Sequence, residues 1–223
     1  MIFSLESISE QLDLLIDSYP ELHVVKSDEQ CVQLHGKIFV YRTICEFTLR
    51  KNYEIDILIP LNSDELPSVI DTNEQISSSY HHRYKDGKLC IDTDTMMRIR
   101  FINGFNLVEW MTDFVEPYFV YYEYYQIYGT FPLGEHEHGC IGTLETYRDL
   151  FHTTSVSNAL KIMKYVKDSF YDGHHSCPCG SKKYIRKCHG KWILPFYNDQ
   201  RLKNILINDL NAIYEELNNY DTN

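Results

Sequence analysis

Three cysteines and a histidine fall within the thirteen residues CPCGSKKYIRKCH, as Cys177, Cys179, Cys188 and His189. No other stretch restricts the path of the chain so strongly. Two thiols one residue apart can grip one ion only from a tight turn, which Pro178 and Gly180 pre-shape. The second pair must return to that ion after eight intervening residues. Three thiols and one imidazole match a closed, tetrahedral structural zinc site, which leaves no open position for a reacting water. The expected cofactor is therefore structural Zn2+. The seven cysteines are odd in number, and crowding three of them here suits a metal site in a reducing cytoplasm better than a disulfide framework. His174 and His175 precede the group and could compete for the ion, but the ligand set is complete without them. Lys182, Lys183, Arg186, Lys187 and Lys191 form a basic island with no acidic neighbour. It reads either as a dock for an acidic partner or substrate, or as solvated lysines around a stapled knuckle.

The rest of the chain is acidic. Over 223 residues, 21 Lys+Arg against 32 Asp+Glu give a net charge of −11, which argues against broad nucleic-acid binding. No apolar run approaches the ~18 residues of a membrane span, and the opening MIFSLESISEQLDLLIDSYP lacks the basic start of a signal peptide. A cytoplasmic protein without a membrane partner is expected. Leu5, Ile8, Leu12, Leu15 and Tyr19 predict a helix over 4–19, ended by Pro20. Strand-like runs follow at 31–35, 38–49 and 53–59, with Lys51-Asn52 as a turn between the last two. The segment from Pro60 to about Tyr84 reads as a long ordered loop. Helical periodicity returns from Phe105, with Pro117 as a kink or restart and a tyrosine-rich packing stripe after it, and again over 155–171 and 199–218. The expected fold class is α+β, an antiparallel sheet with helices plus a small zinc-knuckle annex and a C-terminal helix. The expected boundary near Gly173 divides it into 1–172 and 173–223.

A second stretch poses a chemical question. In DGKLCID, Cys90 follows a Gly87 turn and stands between Leu89 and Ile91. The plain alternative is a buried small hydrophobe. A nucleophile needs access and a neighbour that favours thiolate or stabilises an oxyanion. His81, His82, Arg83 and Lys85 lie just upstream; Asp92 and Asp94 lie just downstream and could orient or deprotonate an incoming amine.

Residues 80–92, YHHRYKDGKLCID, resemble the active-site segment of ubiquitin-conjugating enzymes. That segment carries His-Pro-Asn, then an Asn-Gly or Asp-Gly turn, then Ile/Leu-Cys-Leu/Ile-Asp. Gly87, Leu89, Cys90, Ile91 and Asp92 fall on matching positions, over a resemblance that covers roughly residues 1–130. His82 stands where the family has its oxyanion-stabilising asparagine. A neutral imidazole N–H there could donate the same hydrogen bond, or the ring could act as base. This departure resembles the divergent bacterial members found in antiphage, CBASS-type operons, as do the stretch FPLGEHEHGCIGTLETY at 131–147 and the cysteine cluster. The cluster is itself similar to the SEC-C zinc motif named after the C-terminus of the SecA translocase.

The resemblance implies a ubiquitin-conjugating-enzyme-like domain over 1–172 and a cysteine acyltransferase. It would carry the C-terminus of a modifier or target as a thioester on Cys90 and pass it to an amine, with His82 and Asp92 assisting. The implied partners are a ubiquitin-like modifier or protein substrate, an activating enzyme and a cGAS-like nucleotidyltransferase. Two rival readings are a non-catalytic zinc-containing binding module and a Cys-His hydrolase. In GEHEHG, Glu135, His136, Glu137 and His138 offer a metal-binding loop or a cover for the active-site face. Cys31 and Cys45 are expected in the core, while the loop that carries Cys140 leaves that residue open to either burial or exposure.

Overall fold

The computed structural model describes residues 2–133, 137 and 139–220. In chain order its elements are α1 (Leu5–Ser18), β1 (Leu22–Ser27), β2 (Cys31–Ile44), β3 (Phe47–Pro60), β4 (Ser68–Asp71), α2 (Asp94–Arg100), α3 (Leu107–Trp110), a π-helical turn (Met111–Val115), α4 (Glu116–Tyr128), α5 (Gly139–Leu150), α6 (Val156–Asp168), a 3-10 turn (Ile185–Lys187), α7 (Gly190–Asn198) and α8 (Gln200–Tyr220). By packing they form two units. One is Met1–Asp92 with Asn103–Gly134; the other is Thr93–Ile102 with Glu135–Asn223.

The first unit is a four-stranded antiparallel meander in the order β1-β2-β3-β4, with α1, α3 and α4. α1 starts at a reciprocal cap, in which the Ser7 amide donates to Ser4 Oγ and the Ser4 amide to Ser7 Oγ. It buries Ile8 and Leu15. β2 and β3 form a hairpin from Cys31↔Pro60 to Ile44↔Phe47. Its turn is Cys45-Glu46, both left-handed at φ 47 and 67, the pair that a two-residue type I′ connection requires. Lys51 and Asn52, expected as the turn, instead lie within β3 opposite Val40 and Phe39. The period-two burial of Leu49, Tyr53, Ile55, Ile57 and Ile59 carries the strand through them. Lys51 tolerates its place because its Nζ reaches Glu123 Oε1 at 2.6 Å. Cys45 is consequently exposed, not in the core. The expected loop after Pro60 also contains β4, whose Val69 is buried and pairs with Ile57. β1 was not legible at all, since Leu22 is its one buried residue.

From Leu107 the helix runs through the π turn into α4. Pro117, in the first turn of α4, has no N–H to offer, and the widened turn before it accommodates that loss without a break. α4 packs Phe119 on Tyr53, with ring centroids 4.0 Å apart, and ends at Gly129 with φ 67.

The second unit gathers α2, α5, α6, α7, α8 and the Cys/His segment. Tyr147, Phe151, Ile162, Val166, Ile193, Leu206 and Leu210 share one core with Cys177 and Ile185. α5 and α6, expected as part of the first domain, thus pack with the segment that follows Gly173. Asp209 Oδ2 accepts from Tyr147 Oη at 2.7 Å and Thr95 Oγ1 at 2.8 Å. Cys140, left open between burial and exposure by the sequence, is buried in the first turn of α5, its amide 2.9 Å from Glu216 Oε2. Among the described residues no helix is long and apolar enough to cross a membrane.

Gly36 fixes the start of the sheet. Its φ is 151, and a Cβ there would lie 1.9 Å from the Glu21 carbonyl oxygen. Gly104 has φ 139 but nothing within 4 Å of the same position. Gly36→Ala should therefore cost at least ~2 kcal/mol, and Gly104→Ala about 1 kcal/mol of backbone strain alone. Urea unfolding of both variants checks this; equal losses would refute the clash.

Candidate functional site

Cys90 sits on a short antiparallel ribbon beside β4. Its amide donates to the His82 carbonyl at 2.8 Å, Arg83 bridges Leu89, and the Tyr84 amide donates to the Lys88 carbonyl at 2.8 Å. The turn between the strands closes through the Gly87 amide to the Tyr84 carbonyl at 3.0 Å, with Gly87 at φ 88 and Asp86 Oδ1 accepting from the Lys88 amide at 3.1 Å. On the other side, Ile70 bridges Lys88 and the Leu89 amide donates to the Val69 carbonyl at 2.8 Å, so the ribbon continues the sheet. Alternation then decides the faces. Leu89 is buried; Cys90, His82, Tyr84 and Lys88 belong to the opposite face from Leu89 and Arg83. Directly opposed residues have Cβ atoms about 5 Å apart, which makes His82 and Cys90 neighbours. Tyr84 reaches across to donate its hydroxyl to Cys90 Sγ at 3.4 Å, while staying 55% exposed.

The tyrosine stripe of α4 holds this ribbon from behind. Tyr118 Oη donates to the His82 carbonyl at 3.1 Å, the same oxygen that accepts the Cys90 amide. Burial, with the nearby Tyr80 phenol and Cys90 thiol, pushes the Tyr118 hydroxyl well above the ordinary tyrosine range, so it stays a donor. Tyr122 Oη accepts the Ser77 amide at 3.1 Å. Buried Tyr80 lies against the rings of Tyr122, His81 and His82, with centroids at 4.9, 5.0 and 5.5 Å. Phe131 meets His82 edge-on at 5.4 Å and stacks on Tyr125 at 4.9 Å. His82 is thus framed by rings and faces the thiol's side of the ribbon.

Of the residues read from the sequence, the structure brings Cys90 and His82 together. Asp92 is exposed two residues beyond the thiol, and its charge helps raise the Tyr121 phenol, behind burial and Cys45 in effect. Gly134, Glu135, His136 and His138 of the GEHEHG loop lie outside the described residues. Glu137 is described, with its amide on Glu145 Oε2 at 2.8 Å. Tyr84 and Tyr118 were missed. Tyr84 was available from the sequence, because period two across an Asp-Gly turn places 82, 84, 88 and 90 on one face.

The second site is the Cys/His group of the second unit. The ligand atoms of Cys177, Cys179, Cys188 and His189 all lie within 4.8 Å of one another. Cys179 and Cys188 Sγ are 3.7 Å apart, and His189 Nδ1 is 3.2 Å from Cys177 Sγ and 3.3 Å from Cys188 Sγ. Four donors about 2.0–2.3 Å from one ion stand roughly 3.5–3.8 Å apart in a tetrahedron. The group therefore fits a single metal ion and is consistent with zinc. Bonded sulfurs would approach to ~2.05 Å, so these thiols are free. Burial pushes Cys177 up to about 12. Cys179 is also opposed by burial, yet hydrogen bonds from Ser181 and with its neighbouring thiols leave it below the ordinary thiol value. His174 and His175 stand outside the group: His174 Nε2 contacts Arg186 Nη1 at 2.9 Å, and His175 Nδ1 contacts the Ser176 carbonyl at 2.9 Å. Lys182, Lys183, Arg186, Lys187 and Lys191 are all exposed around it.

No protein-family model, curated protein or solved structure matches the chain.

Metal analysis of purified protein should give one zinc per chain. Ligation requires each thiol to lose its proton, so affinity should fall as pH falls, by up to about a thousandfold per unit while three thiols are being protonated. Chelator competition at pH 8, 7 and 6 measures the slope. Well under one zinc per chain with the fold intact would remove the metal.

Proposed function

We propose that the chain is a ubiquitin-conjugating-like cysteine acyltransferase. The observation that carries this reading is the shared face of Cys90, His82 and Tyr84 on a ribbon that extends a four-stranded antiparallel meander. The element order, one helix, four strands, the cysteine and then helices, supports it as well.

In this reading the Cys90 thiolate attacks the thioester carried by an activating enzyme, takes over the carboxyl end of a small protein modifier as its own thioester, and the activating enzyme's thiolate leaves. A neutral amine then attacks the thioester carbon. The carbonyl oxygen takes the charge, the C–S bond breaks, the Cys90 thiolate leaves and the new amide gives up its proton. His82, as a neutral N–H donor, is assigned to the oxyanion and Asp92 to the proton of the amine; the Tyr84 hydroxyl is a further donor beside the sulfur. The Cys/His group holds zinc and stabilises the second unit without taking part. The basic residues around it serve to recruit an acidic partner. The bacterial resemblance puts the reaction in CBASS-type antiphage defence, with a cGAS-like nucleotidyltransferase as candidate target.

A reconstituted assay with a ubiquitin-like modifier and its activating enzyme tests the reading. Cys90→Ala should abolish loading and transfer, and Cys90→Ser should trap a reductant-resistant oxyester. Losing one oxyanion donor costs about 10²-fold or more. His82→Ala should therefore load normally and transfer at least ~10²-fold slower, with partial recovery in His82→Asn. Transfer at the parent rate in His82→Ala would remove the role of His82. Conjugation by Cys90→Ala would end the enzymatic reading.

A further inference from the structure

A hydrogen-bond donor lowers a barrier only if it is already aimed where charge will develop. In the conjugation reading that donor is the His82 ring. The ribbon fixes the backbone of His82 through its carbonyl, which accepts the Cys90 amide at 2.8 Å and the Tyr118 hydroxyl at 3.1 Å. Those bonds do not set the plane of the imidazole. The rings packed on it do. His81 lies 4.6 Å from it, centroid to centroid, with planes 49° apart; Tyr80 lies at 5.5 Å and 62°; Phe131 lies at 5.4 Å and 87°.

Tyr80 and His81 are chain neighbours of His82 and travel with it. Phe131 comes from beyond α4, and local chain chemistry brings it back. α4 ends at Gly129, left-handed at φ 67, whose amide closes on the Tyr125 carbonyl at 2.8 Å. That cap turns the chain away from the helix axis, and Pro132 disfavours helical backbone at Phe131. Phe131 then stacks on Tyr125, with centroids 4.9 Å apart and planes 22° from parallel. Tyr125 in turn meets His81 at 5.3 Å and Tyr80 at 5.8 Å. From this stack Phe131 stands perpendicular to both imidazoles, the His81 ring lying at 5.7 Å and 87°. It is a buttress mounted on α4 against a ring carried by the ribbon. Edge-to-face pairs favour their own arrangement about two- to tenfold.

We infer that Phe131, backed by Tyr125, is a positioning residue for the His82 imidazole. It holds the plane of the ring so that the N–H stays on the Cys90 side while an amine attacks. The inference rests on the role assigned to His82 in the conjugation reading. It adds a residue that is distant from the ribbon in sequence and touches neither the thiol nor the substrate.

The test uses the full chain and two readouts. In histidine-labelled protein, with His82 assigned by its loss in His82→Ala, the ring C–H order parameter should be about 0.85 in the parent and below about 0.6 in Phe131→Ala, while the Cys90 amide stays protected from exchange. For kinetics, Cys90 is loaded by exchange with the mercaptoethanesulfonate thioester of acetyl-Gly-Gly, excess thioester is removed, and free lysine is the amine. Phe131→Ala should load at the parent rate and transfer about two- to tenfold more slowly. In a His82→Ala background there is no ring to orient, and Phe131→Ala should slow transfer no further. A general loosening of the ribbon would instead slow both backgrounds equally and expose the Cys90 amide. A His82 ring equally ordered without Phe131, equal slowing in the two backgrounds, or loading slowed as much as transfer would each overturn the inference and leave the conjugation reading standing. Parent-rate transfer by His82→Ala would remove the role of His82 and this inference with it.

Discussion

The hydrogen bond from the Cys90 amide to the His82 carbonyl, 2.8 Å long, decides where the thiol can be. It sets 82 against 90, and alternation then places Tyr84 on the same side and Leu89 on the other. The carbonyl is doubly engaged, because Tyr118 donates to it from α4. Tyr118 is buried, and an unpaired hydroxyl there would carry a desolvation penalty of about 1–3 kcal/mol. Ring packing on Tyr80 and the Leu89 bond to β4 hold the ribbon from two further directions. A loop this rich in hydroxyls and histidines would otherwise sample many conformers; here three polar side chains face one way because two backbone bonds and one phenol leave no alternative register.

The second unit depends on a different constraint. Between Gly173 and Gly190 few residues are buried: Cys177, Ile185 and Gly190. That is too little apolar surface to fix eighteen residues against chain entropy. Cys177, Cys179, Cys188 and His189 lie close enough together to hold one metal ion, and such an ion would supply the missing closure. The last residue of that group, His189, leads straight into α7 through its carbonyl, which accepts the Trp192 and Ile193 amides.

What the sequence disclosed followed from periodicity and spacing. α1, α6 and α8 carry one-sided apolar stripes, and their expected ranges differ from the observed ones by a few residues. The four-donor group was legible because its ligands are close in sequence. Errors came where a local signal opposed a longer one. Lys51-Asn52 has the composition of a turn, but Glu123, seventy-odd residues away, gives the lysine a partner and lets the strand continue. Ser68–Asp71 is too short to show alternation and becomes a strand only against β3. Tyr118 looked like one tyrosine among many; its role depends on a carbonyl 36 residues earlier.

Amide hydrogen exchange of the ribbon tests most directly whether Cys90 is held as described. The Tyr84, Leu89 and Cys90 amides should exchange together, well below the rate of the exposed turn amide of Lys85. Tyr118→Phe, by removing one neutral hydrogen bond of about 1 kcal/mol, should speed exchange at Cys90 and Leu89 several-fold to tenfold while β2 and β3 stay protected. A Cys90 amide that exchanges as fast as that of Lys85, or that ignores the loss of the Tyr118 hydroxyl, would contradict the account.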